Sequence, residues 1–463
     1  MTPRAYCVVG GGISGLVAAF RLRQAAGPDA SITLFDPADR LGGVLRTERV
    51  GGQPVDVGAE AFIARRPEVS ALLAELGLTA KQVGTTGVRP LIYARGRLHQ
   101  MPPGTLQGIP ASAESVAGLV DDATVAHVAG EPGRPLSWRP GADPSVAELV
   151  SDRFGRQVVE RSVDPLLGGV YAGSAATIGL RSALPTLAAA LDRGAPSLTD
   201  AVRQCVPAPT GAPVFGAVDG GYQVLIDELA RRAGFRWAHV GVRRIDRSAA
   251  GWDVLDDDGA RWYADGVVVA VPAPRLSRLV EGVAPRTAAA AGRIDVASSA
   301  LVVLALPGGT PVPEQSGVLV ASGEALHAKA VTLTSRKWGR RGNAELLRLS
   351  YGKFGDGIAR NTGDEELLAW AAEDLRDLFG LRQEPVDCRV QRWIDALPQY
   401  GPGHPALVAE LRAGLPPTLA VAGGYLDGIG VPACVASGTR AAARLTGSSV
   451  ARWETWRSST TTH

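Results

Sequence analysis

The residues with the plainest chemistry near the start are glycines. Gly10, Gly12 and Gly15 stand in the spacing G-x-G-x-x-G, directly after the apolar run at residues 5–9. In such a turn Gly10 permits the tight bend and Gly12 lets backbone approach a pyrophosphate. Gly15 lets the following helix pack close to the strand. A helix starting at Ile13 offers unpaired N–H groups and a positive dipole end to phosphates. The candidate phosphate cradle is therefore Gly10, Gly11, Gly12, Ile13, Ser14 and Gly15. Asp36 stands 21 residues after Gly15 and follows Phe35 at the end of a second apolar run. A carboxylate there accepts hydrogen bonds from ribose hydroxyls and repels a 2′-phosphate, which argues against NADP.

The elements that must hold these residues form one βαβ unit: strands at 5–9 and 31–35, with a helix over 13–24. Residues 95–200 read as largely helical with Pro and Gly interruptions, and a further helix is expected over 223–232. Strands follow at 237–245, 252–255, 261–263 and 266–271, with Asp256, Asp257, Asp258 and Gly259 supplying a hairpin turn. Residues 298–306, 328–334 and 345–351 read as strands of a second sheet, and 365–379 as an amphipathic helix. A buried strand at 418–422 and a helix around 437–445 close the chain. The polar tail, 458–463, is expected to be disordered.

Further motifs separate NAD from FAD. Asp39, Arg40, Gly42, Gly43 and Thr47 follow the second strand, and Asp56, Gly58, Ala59 and Glu60 come soon after. This arrangement resembles the extended motif of amine-oxidase-like flavoproteins. Taken with DPLLGGVYAG (164–173), DGGYQVL (219–225), RWIDALPQYGPGH (392–404) and GGYLDGIGVPACVASG (423–438), it resembles the oxygen-dependent protoporphyrinogen oxidase family. The likeness spans nearly the whole chain. It is closest to the soluble Gram-positive branch, whose members oxidise coproporphyrinogen III on the way to haem.

The resemblance implies an α/β plus α+β fold. A discontinuous Rossmann-like FAD-binding domain (1–85, 205–275, 410–457) would carry a mixed-sheet substrate domain (86–94, 276–409) and an inserted helical region (95–204). It implies non-covalent FAD. Gly10 to Gly15, Phe35 and Asp36 would hold the ADP half, and Val242 would meet adenine through its backbone. Arg40, Gly42, Gly43, Gly58, Ala59, Glu60 and Ala61 would border the diphosphate, ribityl and flavin. Trp393, Gly428, Ile429, Gly430 and Val431 would pack against the isoalloxazine. Gly169, Val170, Tyr171 and Ala172 would line the porphyrinogen cavity, with Arg65, Arg66, Arg336 and Lys337 as candidates for the propionates. Hydride transfer to the flavin, with O2 as oxidant, needs no catalytic side-chain pair, and none is visible. A ferrochelatase is an implied partner. Rival readings within the fold are a protoporphyrinogen IX oxidase, a flavin amine oxidase and a carotenoid-type desaturase. A prenyl-protein chaperone is the non-enzyme rival.

Composition narrows the classes. The chain has 463 residues, 46% hydrophobic, enough for two or three domains. Its 48 basic and 46 acidic residues give no electrostatic reason to bind nucleic acid. Only Lys81, Lys329, Lys337 and Lys353 are lysines; the other bases are arginines, suited to planar carboxylates. Cys7, Cys205, Cys388 and Cys434 form no CxxC pair, which fits a reducing cytoplasm and excludes a zinc ribbon. The six histidines have no metal-ligand spacing, although His404 lies near the expected flavin wall. No run is long and apolar enough for a membrane span.

Overall fold

Short runs of valine, isoleucine and leucine bounded by glycine form strands buried on both faces, the pattern of a parallel sheet. The computed structural model describes residues 4–207, 211, 213–340 and 342–448. The tail at 458–463 lies outside these. Five parallel strands stand in the order Arg236–Ala238, Ser31–Phe35, Ala5–Val9, Gly266–Val269 and Leu419–Val421. Val8, Leu34, Val268 and Ala420 face one core, while Cys7, Val9, Phe35, Val267 and Val269 face the other.

The helices Ile13–Ala26 and Val431–Thr446 cover the first face. Gly438 lets them approach, because a Cβ there would stand 2.3 Å from the Ser14 carbonyl oxygen. Ser14 Oγ also donates to the Cys434 carbonyl at 3.1 Å. The closing helix thus begins at Val431, earlier than the sequence pattern places it.

Residues 237–245 do not form one strand. Arg236–Ala238 edges the parallel sheet, whereas Val242–Arg247 pairs antiparallel with Trp252–Asp256, which pairs in turn with Arg261–Ala264. One straight strand cannot serve two sheets of different direction. Gly241 takes the corner, where a Cβ would meet Asp257 Oδ2 at 2.1 Å.

The second sheet has seven strands, in the order Asp387–Pro398, Val296–Pro307, Ala344–Tyr351, Ala330–Leu333, Gly317–Val320, Leu91–Ala94 and Arg97–Gln100. All pairings are antiparallel except that of Gly317–Val320 with Leu91–Ala94. Arg97–Gln100 belongs to this sheet, although the sequence reading makes the chain helical from residue 95. The long strand Asp387–Pro398 was not expected either, because its arginines, glutamine and aspartates hide the apolar alternation.

The helices of the inserted region lie between Ala113 and Cys205 around a separate core that includes Phe154, Val163 and Leu187. Glu131 is fully buried there. It accepts hydrogen bonds from Arg153, from the Leu198 and Thr199 amides and from Thr199 Oγ1, an anion at the start of helix Leu198–Cys205. Among the described residues no helix is long and apolar enough to cross a membrane.

Candidate flavin and substrate site

The cradle forms at the carboxyl ends of the parallel strands. Gly10 has φ +108° and donates to the Phe35 carbonyl at 2.8 Å. A Cβ on Gly15 would stand 1.9 Å from the Gly10 carbonyl oxygen, so the helix can start there only on glycine. A Cβ on Gly12, by contrast, would meet nothing within 4 Å. The Gly12 side of the turn is open, and helix Ile13–Ala26 has no side-chain cap, so no side chain competes for its first-turn N–H groups. Ile13 and Ser14 are buried, so these amides are what the turn presents.

Asp36 holds the shape of the turn: Oδ2 accepts the Gly11 N–H at 2.7 Å and Oδ1 that of Ala38 at 3.0 Å. Phe35 is buried against Trp262, which limits it to backbone contacts with any ligand. Val242 is also buried, and its carbonyl accepts from Arg275 at 2.9 Å.

The next segment folds back onto this turn. Gly42 bridges Gly12 and donates to the Gly11 carbonyl at 2.8 Å. Arg40 stitches the loop, donating to the carbonyls of Leu41 and Leu45 at 3.1 Å and of Gly43 at 2.6 Å. From the far end of the chain, helix Val431–Thr446 brings a second amino terminus that lacks a side-chain cap, with Gly430 at the capping position. Gly428 has φ +144°, and the half-buried Ile429 follows it. Two uncapped helix starts and an open glycine turn suit a dianionic dinucleotide, and the residues present fit FAD.

The floor lies on one face of the seven-stranded sheet, and that face has two halves. Val303, Ala305, Ala344 and Leu346 pack dry against Val50, Val55 and Val57. Farther along, Leu301, Ser350, Ala330 and Leu319 face the same side and are only half-buried. Gln391 and Trp393, on the neighbouring strand, are half-buried with them. Trp393 stands at one side of this open half: its Nε1 donates to the Val57 carbonyl at 2.8 Å, and a Cβ on Gly58 would lie 3.1 Å from its ring. At the other side a Cβ on Gly169 would lie 3.7 Å from Leu319. The open half is therefore a slot between the Gly58–Trp393 wall and the end of helix Asp164–Tyr171. Val170 is exposed beside it, and Ala172 ends the helix in the left-handed region at φ +48°.

At the seam between dry and open halves sits an ion triad that the sequence did not signal. Glu60 is nearly buried, 2.6 Å from Lys337 Nζ and 3.2 Å from Arg348. Burial opposes its charge, but the two cations prevail and hold its carboxyl down at about 2. Arg348 also donates to the Gly58 carbonyl at 2.7 Å. The Glu60 carboxylate is thus spent on stapling Gly58, Ala59, Glu60 and Ala61 to the sheet, and only their backbone is left for a ligand. Asp56, just upstream, is pushed up to about 6 by burial, although Thr47 and the Tyr222 amide hydrogen-bond to it.

A second missed link joins the two sides of the site. Tyr171 meets the Tyr400 ring edge-on at 5.5 Å, and the Tyr400 hydroxyl donates to the Gly424 carbonyl in the C-terminal glycine turn. Gln399 donates to the Tyr171 carbonyl at 2.9 Å. His404 is buried against Tyr400, and burial lowers its pKa.

Of the propionate candidates, Lys337 serves Glu60, Arg336 lies 3.5 Å from Glu345, and Arg66 pairs with Glu68 at 2.5 Å. Arg65 is exposed. The Cys434 thiol is buried in the helix crossing and pushed up to about 11 by desolvation, an environment that disfavours the reactive thiolate. Among the described residues no three His, Cys, Asp or Glu side chains converge as a metal site would require.

A Rossmann-type cradle closed by a second glycine turn, over a sheet that floors a separate slot, defines a flavin-dependent oxidoreductase. The sequence profile of the flavin containing amine oxidoreductases matches residues 13–446, and the chain belongs to that family. It is 66% identical over 441 residues to the coproporphyrinogen III oxidase of Mycobacterium tuberculosis (strain ATCC 25618 / H37Rv), covering 95% of this chain and 97% of the relative. To the coproporphyrinogen III oxidase of Bacillus subtilis (strain 168) it is 27% identical, covering 94% and 96%. The bovine protoporphyrinogen oxidase is 29% identical, covering 96% and 98%. A provisionally assigned protoporphyrinogen oxidase from Exiguobacterium sp. 255-15 superposes with a TM-score of 0.86 at 28% identity, over 96% of this chain and 99% of that one. Cyclohexylamine oxidase from Brevibacterium oxydans IH-35A gives 0.70 at 16% identity, over 96% and 99%, a likeness of fold alone.

Proposed function

We propose that this chain is an FAD-dependent oxidase that converts coproporphyrinogen III to coproporphyrin III, in the cytoplasm, on a route to haem. The observation that carries the reading is the half-open sheet face, a slot lined by apolar and small residues beside the flavin wall, a surface suited to a flat, apolar macrocycle. Identity of 66% to a coproporphyrinogen III oxidase along nearly the whole chain supports the choice of substrate. Four free cysteines support a reducing compartment. The porphyrin would pass to a ferrochelatase.

Bound FAD supplies a two-electron acceptor that O2 regenerates, with hydrogen peroxide as the product. Complete oxidation removes six hydrogens from the macrocycle in three rounds and consumes three molecules of O2. The chain's own contribution is placement. The amides of Gly12 to Gly15 and the two uncapped helix starts would hold the cofactor's phosphates, while Asp36, which already accepts the Gly11 N–H, would accept ribose hydroxyls. Trp393 and Gly58 set a flat wall. Leu301, Ala330 and Leu319 form a floor that excludes water, and Gly169 to Ala172 close the opposite side. No acid–base pair is demanded of the side chains.

The test is aerobic oxidation of coproporphyrinogen III and protoporphyrinogen IX by the FAD-loaded protein, followed by porphyrin fluorescence. A kcat/KM preference of about tenfold for coproporphyrinogen, about 1.4 kcal/mol in the transition state, is expected. The reverse preference would move the enzyme to the protoporphyrinogen route. No oxidation of either by a flavin-loaded protein would overturn the porphyrinogen reading, and a panel of primary amines would then be the next substrate set.

A further inference from the structure

The strand Ala344–Tyr351 is followed by a turn, residues 352–357, that walls a cavity of about 250 Å³ with Ser298, Lys353, Phe354, Asp356, Arg360 and Asp395 among its lining. Its position relates it to the slot. The Phe354 amide donates to the Ala172 carbonyl at 2.7 Å, so one wall is bonded to the end of the helix that closes the slot. Asp395 lies two residues beyond Trp393 in the same strand and carries the other wall. The cavity lies at the end of the sheet, next to the helix end that closes the slot.

Its charges do not balance. Arg360 is paired with Asp395. The Asp356 carboxylate is occupied by backbone, accepting the Lys353 N–H at 2.5 Å and the Ile358 N–H at 3.0 Å. Lys353 Nζ makes no ion pair among the described residues, although its side chain is half-buried. Behind the wall Lys329 is 9% exposed, and its ammonium donates only to Ser299 Oγ, at 3.1 Å, and to the Gly352 carbonyl. Desolvation pushes it down to about 7. Three cations thus surround two carboxylates, and one of those cations, Lys329, is buried without an ion pair, with only the more distant Asp356 to favour its charge, an arrangement that an anion in the cavity would relieve.

We propose that this cavity is a carboxylate subsite of the slot, with the Lys353 ammonium as its ligand and Lys329 adding positive charge from behind. The anion is a peripheral carboxylate of the macrocycle. The inference rests on the porphyrinogen reading and adds to it the residue that anchors one carboxylate. Lys353 is not one of the four cations that the sequence offered for this task.

The test compares the wild type with K353A, K353Q and K353R, each FAD-loaded. Coproporphyrin III binding is read by fluorescence titration, and coproporphyrinogen III oxidation by steady-state kinetics. K353A and K353Q are expected to weaken porphyrin binding and raise KM by about tenfold, with kcat within about twofold, as loss of one charge-assisted hydrogen bond would give. K353R should stay within about threefold of the wild type. Lys81, exposed and outside the cavity lining, supplies the control variant K81A, which should change nothing. The tetramethyl ester of coproporphyrin should bind the wild type and K353A equally. Unchanged binding and KM in both K353A and K353Q would overturn the subsite while leaving the function standing. A wild type that oxidises neither porphyrinogen would instead overturn the reading beneath it.

Discussion

G12A and G15A are expected to fail in opposite ways. A Cβ at residue 15 would sit 1.9 Å from the Gly10 carbonyl oxygen and 3.3 Å from Ala270 Cβ, so the helix start must move away from the strand end. Overpacking of this kind costs about 1–3 kcal/mol, here at a backbone contact that cannot rotate aside. G15A should therefore melt several degrees lower and purify without bound flavin. At residue 12 the backbone is extended, φ −71° and ψ 172°, and a Cβ meets nothing within 4 Å. The apoprotein of G12A should match the wild type in denaturant midpoint, within about 0.5 kcal/mol. Its affinity for FAD should nevertheless fall by about 100-fold, because the new methyl group occupies the space the pyrophosphate needs. Flavin absorbance after dialysis, with apoprotein unfolding curves, measures both. A G12A protein that retains FAD as the wild type does would refute this placement of the phosphates.

E60Q is expected to be the most destabilising change at the site. Glu60, Lys337 and Arg348 are all largely buried, and the substitution leaves two cations facing a neutral amide. Breaking a buried pair on one side costs about 3–5 kcal/mol. The pH dependence follows from the depressed carboxyl, about 2 in the folded chain against 4.5 in the unfolded one. Its stabilisation is complete above pH 4.5 and is lost as the pH falls toward 2. Urea midpoints of wild type and E60Q should lie far apart at pH 7 and converge below pH 4.5. A gap at pH 2 as wide as that at pH 7 would mean that packing, not charge, holds the staple.

How much of this was legible in the chain depends on distance along it. The first βαβ unit and Asp36 were readable because strand, turn and helix are contiguous and each glycine answers a local steric demand. The flavin family was readable through motifs at both ends. Glu60 was visible as a residue, but its partners Lys337 and Arg348 come from a remote strand and helix, and a charge pair leaves no periodic trace. The same holds for Tyr400, whose hydroxyl reaches Gly424 across a turn. The strand Asp387–Pro398 was missed because one face bears Trp393 and Gln391 toward a half-open slot; a strand that floors a binding site cannot show clean alternation. Arg97–Gln100 was hidden for another reason. It is an edge strand with three exposed residues, so burial left little mark on its composition.

The strand order of the nucleotide sheet sets a timetable. Ala5–Val9 and Ser31–Phe35 leave the ribosome about 380 residues before Leu419–Val421 and the helix Val431–Thr446, which complete the sheet and supply the second helix start. The nascent chain therefore carries half a cradle until residues 419–446 have emerged, and cofactor loading waits for them. Stalled chains that end before residue 419 should hold no flavin even when the glycine turn at the amino end is intact, whereas chains released past residue 446 should take it up. Termination just before residue 419 would then yield a colourless protein with its amino-terminal glycine turn intact.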